Sequence, residues 1–177
     1  DEITILTLWV KEGASFEKKV GQFSAEFQKL IQPAAVTTNT KSYDFSAASE
    51  SSIESVNTPY CTVYPIANES PALQADFYVA AKFDPGTLSN LSQVSEQLVG
   101  LQLSKMPITN ESLNLVSKFT HLEKLNLNFT SIDDAGIAQL AGLNQLEQLS
   151  VSGTKVGKSG VAKLLAKLPA LKEIHVW

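Results

Sequence analysis

The feature that most constrains how this 177-residue chain can fold is an apolar spacing that recurs through its second half. Leu98, Leu122, Leu146 and Leu171 stand 24, 24 and 25 residues apart, and each opens the same short pattern. Three positions further on come Leu101, Leu125, Leu149 and Ile174, and five positions on come Leu103, Leu127, Val151 and Val176. Alternation of this kind is the period of a strand with one face buried, whereas the stretch after it repeats with helical period. Leu113, Ile137 and Val161 start an apolar stripe, Val116, Leu140 and Leu164 extend it, and Phe119, Leu143 and, after one extra residue, Leu168 close it. Between strand and helix, Met106, Thr130 and Thr154 share one turn position and Ile108, Ile132 and Val156 another. Each unit therefore predicts a short strand, a tight turn and a helix of about two to three turns. Thr109 and Asp133 fit the N-cap, Gly157 is a weaker cap, and Pro169 stops the last helix.

One such unit cannot bury its own apolar side, so neighbours must stack and share a core. The expected fold class is α/β: a short solenoid with parallel strands on one face, helices on the other, and an N-terminal helical and α/β capping region. The pattern resembles the leucine-rich-repeat family, most closely its bacterial T-x-I-x-D-x-G variant. That variant reads here as Thr130-Ser-Ile132-Asp-Asp134-Ala-Gly136, and in part as Thr154-Lys-Val156-Gly-Lys-Ser-Gly160. The first unit departs from it, with Met106-Pro107-Ile108 and with Ser112 in place of glycine. The resemblance covers residues 98–177.

Residues 1–33 read as an N-terminal helical segment. Glu2–Glu12 forms one helix that Gly13 ends, and Ser15 caps a second with Phe16, Val20, Phe23, Phe27, Leu30 and Ile31 on one face, ended by Pro33. Residues 34–97 read as a linker followed by an α/β cap. The Ser-, Thr-, Ala- and Asn-rich stretch 34–59 is expected to be a loop. Tyr60–Ile66 and Leu73–Val79 are expected strands, and Asp84-Pro85 opens a helix buried through Leu88, Leu91 and Val94. This piece is placed over the first repeat, where an uncovered end would expose the core.

The segment from Glu2 through Trp9, Gly13 and Phe16, read as W-[IV]-x-x-G-A-x-F, is similar to the closing helix of planctomycete-type c-type cytochrome domains. In that family, repeats of the kind above can follow the cytochrome, and the protein sits at a bacterial membrane facing the periplasm. The resemblance implies a larger, membrane-anchored, extracytoplasmic protein, and the Asp1-Glu2 start, without Met or signal peptide, suggests an excised part of it. Haem attachment needs C-x-x-C-H, and Cys61 is the single cysteine, so no cofactor is expected in this chain. The electron carrier would lie upstream.

The net charge is −4, all 14 basic residues are lysines, and none cluster. Without the arginine that guanine readout and minor-groove insertion favour, nucleic acid is not an expected partner. No apolar run has the length of a membrane span. His121 and His175 lie far apart, without carboxylates at ligand spacing, so a metal site is not expected. Asp133-Asp134 reads as a cap and a first-turn position and not as an acid pair, and no catalytic grouping stands out. The chain is therefore read as a non-enzyme.

Function is expected on the open sheet face, where the residues beside the core leucines point. They are Gly100, Gln102 and Ser104; Lys124, Asn126 and Asn128; Gln148, Ser150 and Ser152; and Glu173, His175 and Trp177, with Trp177 the one aromatic anchor. A protein partner is the leading expectation for this surface. Support of a cytochrome and glycan binding through Asn126, Asn128, His175 and Trp177 are the alternatives. The last strand is not followed by a helix, so either the natural chain continues or copies self-associate through the open C-terminal end of the sheet.

Overall fold

Gly13 takes a left-handed backbone (φ 96°) just past helix α1 (Glu2–Lys11), and its N–H bonds back to Val10 O at 3.1 Å. Few residues but glycine adopt that conformation without strain, and it turns the chain off the helical path. The computed structural model describes residues 2–11, 13, 24–25 and 41–176, so the helix expected between Ser15 and Pro33 lies outside the described residues. The chain divides into two units, Asp1–Ser42 and Tyr43–Trp177, of which the second carries the sheet.

The second unit opens differently from expectation. Part of the stretch read as a loop forms helix α2 (Glu50–Val56). Its cause is local: Ser49 Oγ accepts the Ser52 N–H at 3.1 Å as an N-cap, and Ile53 and Val56, three residues apart, turn inward together. Serine-rich composition signalled a loop, but a capping serine plus one apolar pair is enough for two turns packed on a core.

Strands β1 (Cys61–Pro65) and β2 (Leu73–Phe77) form an antiparallel hairpin, with Cys61 opposite Phe77 and Val63 opposite Ala75. A 3-10 turn (Ala80–Lys82) leads to helix α3 (Pro85–Asn90). Asp84 caps it by accepting the Gly86 N–H at 3.0 Å, and a second 3-10 turn (Leu91–Val94) continues it. Leu88, Leu91 and Val94 are fully buried. The remaining elements alternate: β3 (Leu98–Gln102), α4 (Asn110–Val116), β4 (Lys124–Asn126), α5 (Asp134–Ile137, extended by 3-10 residues Ala138–Gly142), β5 (Gln148–Ser150), α6 (Lys158–Leu165) and β6 (Glu173–His175).

All six strands lie in one sheet in sequence order, and every pairing from β2 onward is parallel. Leu101, Leu125, Leu149 and Ile174 are register partners on adjacent strands. Helices α4, α5 and α6 pack neighbour on neighbour, as the strands do. Between the two layers Leu98, Leu103, Leu122, Leu127, Leu146 and Leu149 lose all contact with water, each contributing about 1.5–3 kcal/mol of burial. At the far end Leu171, Ile174 and Val176 are only partly covered.

Polar links step from each coil to the next. Leu103 N donates to Asn126 O, Leu127 N to Ser150 O and Val151 N to His175 O, at 2.9, 2.7 and 2.8 Å. Asn110 Nδ2 donates to Asp133 Oδ1 at 2.8 Å, and Asp133 N returns a bond to Asn110 Oδ1 at 3.2 Å. Asp133 Oδ1 also caps its own helix, accepting from Ala135 N at 2.8 Å and Gly136 N at 3.2 Å. Gly157 has no side chain to cap α6, and Asp134 of the preceding coil bonds its N–H at 2.7 Å. The turns after β3, β4 and β5 repeat a left-handed residue: Lys105 (φ 62°), Phe129 (φ 57°) and Gly153 (φ 67°). Only the last is glycine, and the reason is steric: a Cβ there would meet the Phe129 ring.

Candidate functional site: the open face of the sheet

Residues that alternate with the core leucines share the face opposite the helices. On the hairpin the same alternation places Thr62 and Tyr64 opposite buried Cys61 and Val63, and Gln74, Asp76 and Tyr78 opposite buried Leu73, Ala75 and Phe77. Register carries the face onward, since Asp76 pairs with Gln102, Gln102 with Asn126, Asn126 with Ser150 and Ser150 with His175.

The tyrosines are the part that sequence reasoning missed. Tyr60, Tyr64 and Tyr78 remain 37%, 38% and 54% exposed. Trp177, the aromatic anchor expected from sequence, lies outside the described residues. A signal was present: Tyr60-x-Thr62-x-Tyr64 has strand period, and its opposite phase is the apolar Cys61 and Val63. It sits outside the leucine repeat and was read only as a cap.

Asp76 organises this end of the face. Tyr64 Oη donates to Asp76 Oδ2 and Gln74 Nε2 to Asp76 Oδ1, both at 2.8 Å. The bond to Asp76 holds the Tyr64 phenol above the ordinary tyrosine range, because ionising it would break the bond and set two anions together. The Thr62 and Tyr78 hydroxyls lie 3.2 Å apart. Gly100 is buried here and not open, because the Gln74 side chain lies across it; a Cβ at Gly100 would stand 2.9 Å from Gln74 Oε1. Beside it, Gln102 Oε1 is shielded from water without a hydrogen-bond partner.

The polar row is more deeply set than its chemistry suggests. Lys124, Glu173 and His175 are exposed, whereas Gln102, Ser104, Asn126, Asn128, Gln148 and Ser150 are half-buried. Ser152 is buried, which removes it from the open surface. Asn126 Oδ1 accepts the Asn128 N–H at 2.9 Å, which holds a turn, and Asn128 Oδ1 accepts the Ser152 N–H at 2.7 Å, which ties one coil to the next. Gln148 Nε2 donates to Glu173 Oε2 at 3.0 Å, and His175 Nε2 lies 3.9 Å from the same oxygen.

No protein-family model matches this chain, and no curated protein matches it.

Elsewhere, His121 packs its ring on Phe45 at 5.7 Å, on a different part of the molecule from His175. Among the described residues no group of three or more His, Cys, Asp or Glu is placed to hold a metal, and no helix is long and apolar enough to cross a membrane. Cys61 is buried beneath the hairpin, and desolvation, with a smaller contribution from Asp76, pushes its thiol up to about 12. A thiol so raised is a poor nucleophile at neutral pH. What the open face offers is binding chemistry: exposed aromatic area at one end, then amides, hydroxyls and a few charges.

Proposed function

We propose that this chain is a non-catalytic protein-interaction module of the leucine-rich-repeat solenoid type, part of a larger extracytoplasmic bacterial protein. One observation carries the reading: Tyr64 and Tyr78 stand exposed on the same sheet face as the polar row, the first bonded to Asp76 and the second beside Thr62. Tyrosine brings large area at small entropic cost and is over-represented among the residues that dominate protein interfaces. The in-register stack of Leu101, Leu125, Leu149 and Ile174 supports the solenoid. The periplasmic setting rests on the likeness of Trp9–Phe16 to a cytochrome helix.

The test is comparative capture from a periplasmic extract with the native chain and with a Tyr64→Ala/Tyr78→Ala variant that melts normally. A protein retained by the first is expected to bind the second at least tenfold more weakly, since one aromatic anchor is worth about 2 kcal/mol. Equal retention by both refutes the role of this face. Loss of capture after glycosidase treatment would transfer the site to a glycan. A coding sequence upstream of residue 1 without C-x-x-C-H would withdraw the cytochrome association alone.

A further inference from the structure

Between the open end of the β1–β2 hairpin and the 3-10 turn Ala80–Lys82 lies a cavity of about 200 Å³ that reaches solvent. Phe77, Val79, Phe83 and Cys61 form apolar walls, the two phenylalanine rings in edge contact at 5.5 Å. Protein interiors seldom hold a void much larger than a water molecule, because its lining forfeits dispersion contacts. Elsewhere the core is tight: a Cβ added at Gly136 or Gly160 would collide with its neighbours. The phase of the strands sets this cavity on the side of the hairpin away from Tyr64 and Tyr78, since Cys61 and Phe77 alternate with them.

The walls select what fills it. An ordered water needs about two to four polar partners. Thr58 Oγ1, which lines the cavity, already accepts the Tyr60 and Cys61 N–H groups at 3.2 and 3.0 Å. Burial, which pushes the Cys61 thiol up to about 12, marks the wall beside it as poor in polar stabilisation. An apolar guest suits such walls better than solvent does. Size narrows the guest further. A cavity of about 150 Å³ takes benzene, so this one has room for a single aromatic ring and about one or two more carbons. Phe77 and Phe83 offer such a ring the edge-to-face contacts that aromatic groups prefer.

The mouth carries a positive charge. Lys82 lines it, is exposed, and has no ion-pair partner among the described residues. Asp84, the acid next to it in sequence, turns its carboxylate onto the Gly86 N–H at 3.0 Å. Tyr60, 37% exposed, brings a hydroxyl donor to the same lining. We propose that this cavity binds a small aromatic monocarboxylate, its ring against Phe77 and Phe83 and its carboxylate at Lys82. The apolar walls supply burial, and the lysine selects an anion over a neutral molecule of the same shape.

Phenylacetate is the probe and phenylacetamide its uncharged counterpart. Each is titrated into the full chain and followed through the backbone amide signals of Cys61 and Phe83 by heteronuclear NMR. Phenylacetate is expected to half-saturate the chain below about 1 mM. Phenylacetamide is expected to bind about threefold more weakly, the scale of a partly exposed ion pair. Lys82→Gln is expected to bring the acid to the affinity of the amide and to leave the amide within about twofold of its native value. Val79→Phe, which fills the cavity, is expected to weaken both ligands by about tenfold or more while Tm holds or rises. The proposal is overturned by silence at both amides up to about 10 mM, by equal affinity for acid and amide, by indifference to Lys82→Gln, or by undiminished binding to a folded Val79→Phe. Should Val79→Phe fail to fold, the comparison at Lys82 decides alone. Neither result bears on partner capture by the sheet face.

Discussion

Leu125→Ala probes the shared core in the middle of the parallel strands. Leu125 is 3% exposed and lies in register between Leu101 and Leu149. Truncation removes three carbons, a transfer loss of about 2.4 kcal/mol at about 0.8 kcal/mol each. Strands on both sides prevent the gap from collapsing, and an unrelaxed cavity adds up to about 2 kcal/mol. The expected cost is about 2.5–4.5 kcal/mol, a fall in Tm of about 10–18 °C at about 4 °C per kcal/mol. Ile174→Ala is the control. It truncates the same position of the last coil, where one side lacks a neighbour, and is expected to cost about 1 kcal/mol. Urea unfolding followed by circular dichroism measures both, with an unchanged slope marking a true stability change. Equal costs at the two positions, or less than about 1 kcal/mol at Leu125, would refute the claim that adjacent coils share one interior.

Other outcomes follow from individual contacts. Gly153→Ala is expected to destabilise through its left-handed backbone and its collision with Phe129; adding Phe129→Ala should recover the steric part and leave about 1 kcal/mol of backbone strain, as read from a double-mutant cycle. The bond from Asn110, followed by those from the Gly136 and Ala135 amides, holds the Asp133 carboxyl below the ordinary carboxylate range. A depressed folded value means stability that is present above the unfolded pKa and lost as pH falls through the folded one. Asp133→Asn should therefore flatten the acid limb of the stability–pH profile, and Asn110→Ala should raise the Asp133 pKa as followed by carboxyl NMR. Cys61, its thiol pushed up to about 12 by burial, should resist a thiol reagent at pH 8 in the native chain and react at once in urea; rapid native labelling would contradict its burial.

The parallel strands were legible in the sequence because an apolar stride specifies register directly. Each of Leu101, Leu125, Leu149 and Ile174 sits in the same phase, and a slip by one would turn every core side chain outward. Caps were equally readable where one side chain does the work, as at Asp84 and Asp133. The missed features depend on relations that no local window contains. Helix α2 was hidden because serine favours loops in composition yet caps helices in position. The tyrosine end of the face escaped notice because Tyr64 and Tyr78 belong to a hairpin and its flank outside the repeat, and only the docking of β2 on β3 extends the face to them. The polar row was named correctly as alternating with the leucines, but Gly100 and Ser152 proved covered and Asn126 and Asn128 engaged, since neighbouring side chains cross that face. Asp134 bonding Gly157 joins residues 23 apart in sequence that lie on successive coils.

Because β1 and β2 run against each other while every later pairing is parallel, the sheet has a definite beginning. At the margin of β1 the Asn57 side chain occupies the Val63 peptide, its Oδ1 accepting the Val63 N–H at 2.6 Å, so a change in the number of coils is more readily made downstream. Duplicating the 24 residues from Leu122 to Gln145 would insert one more rung with ready-made neighbours above and below, leaving the tyrosine end intact. The length of the molecule is thus adjustable in fixed increments, while its aromatic terminus is set once.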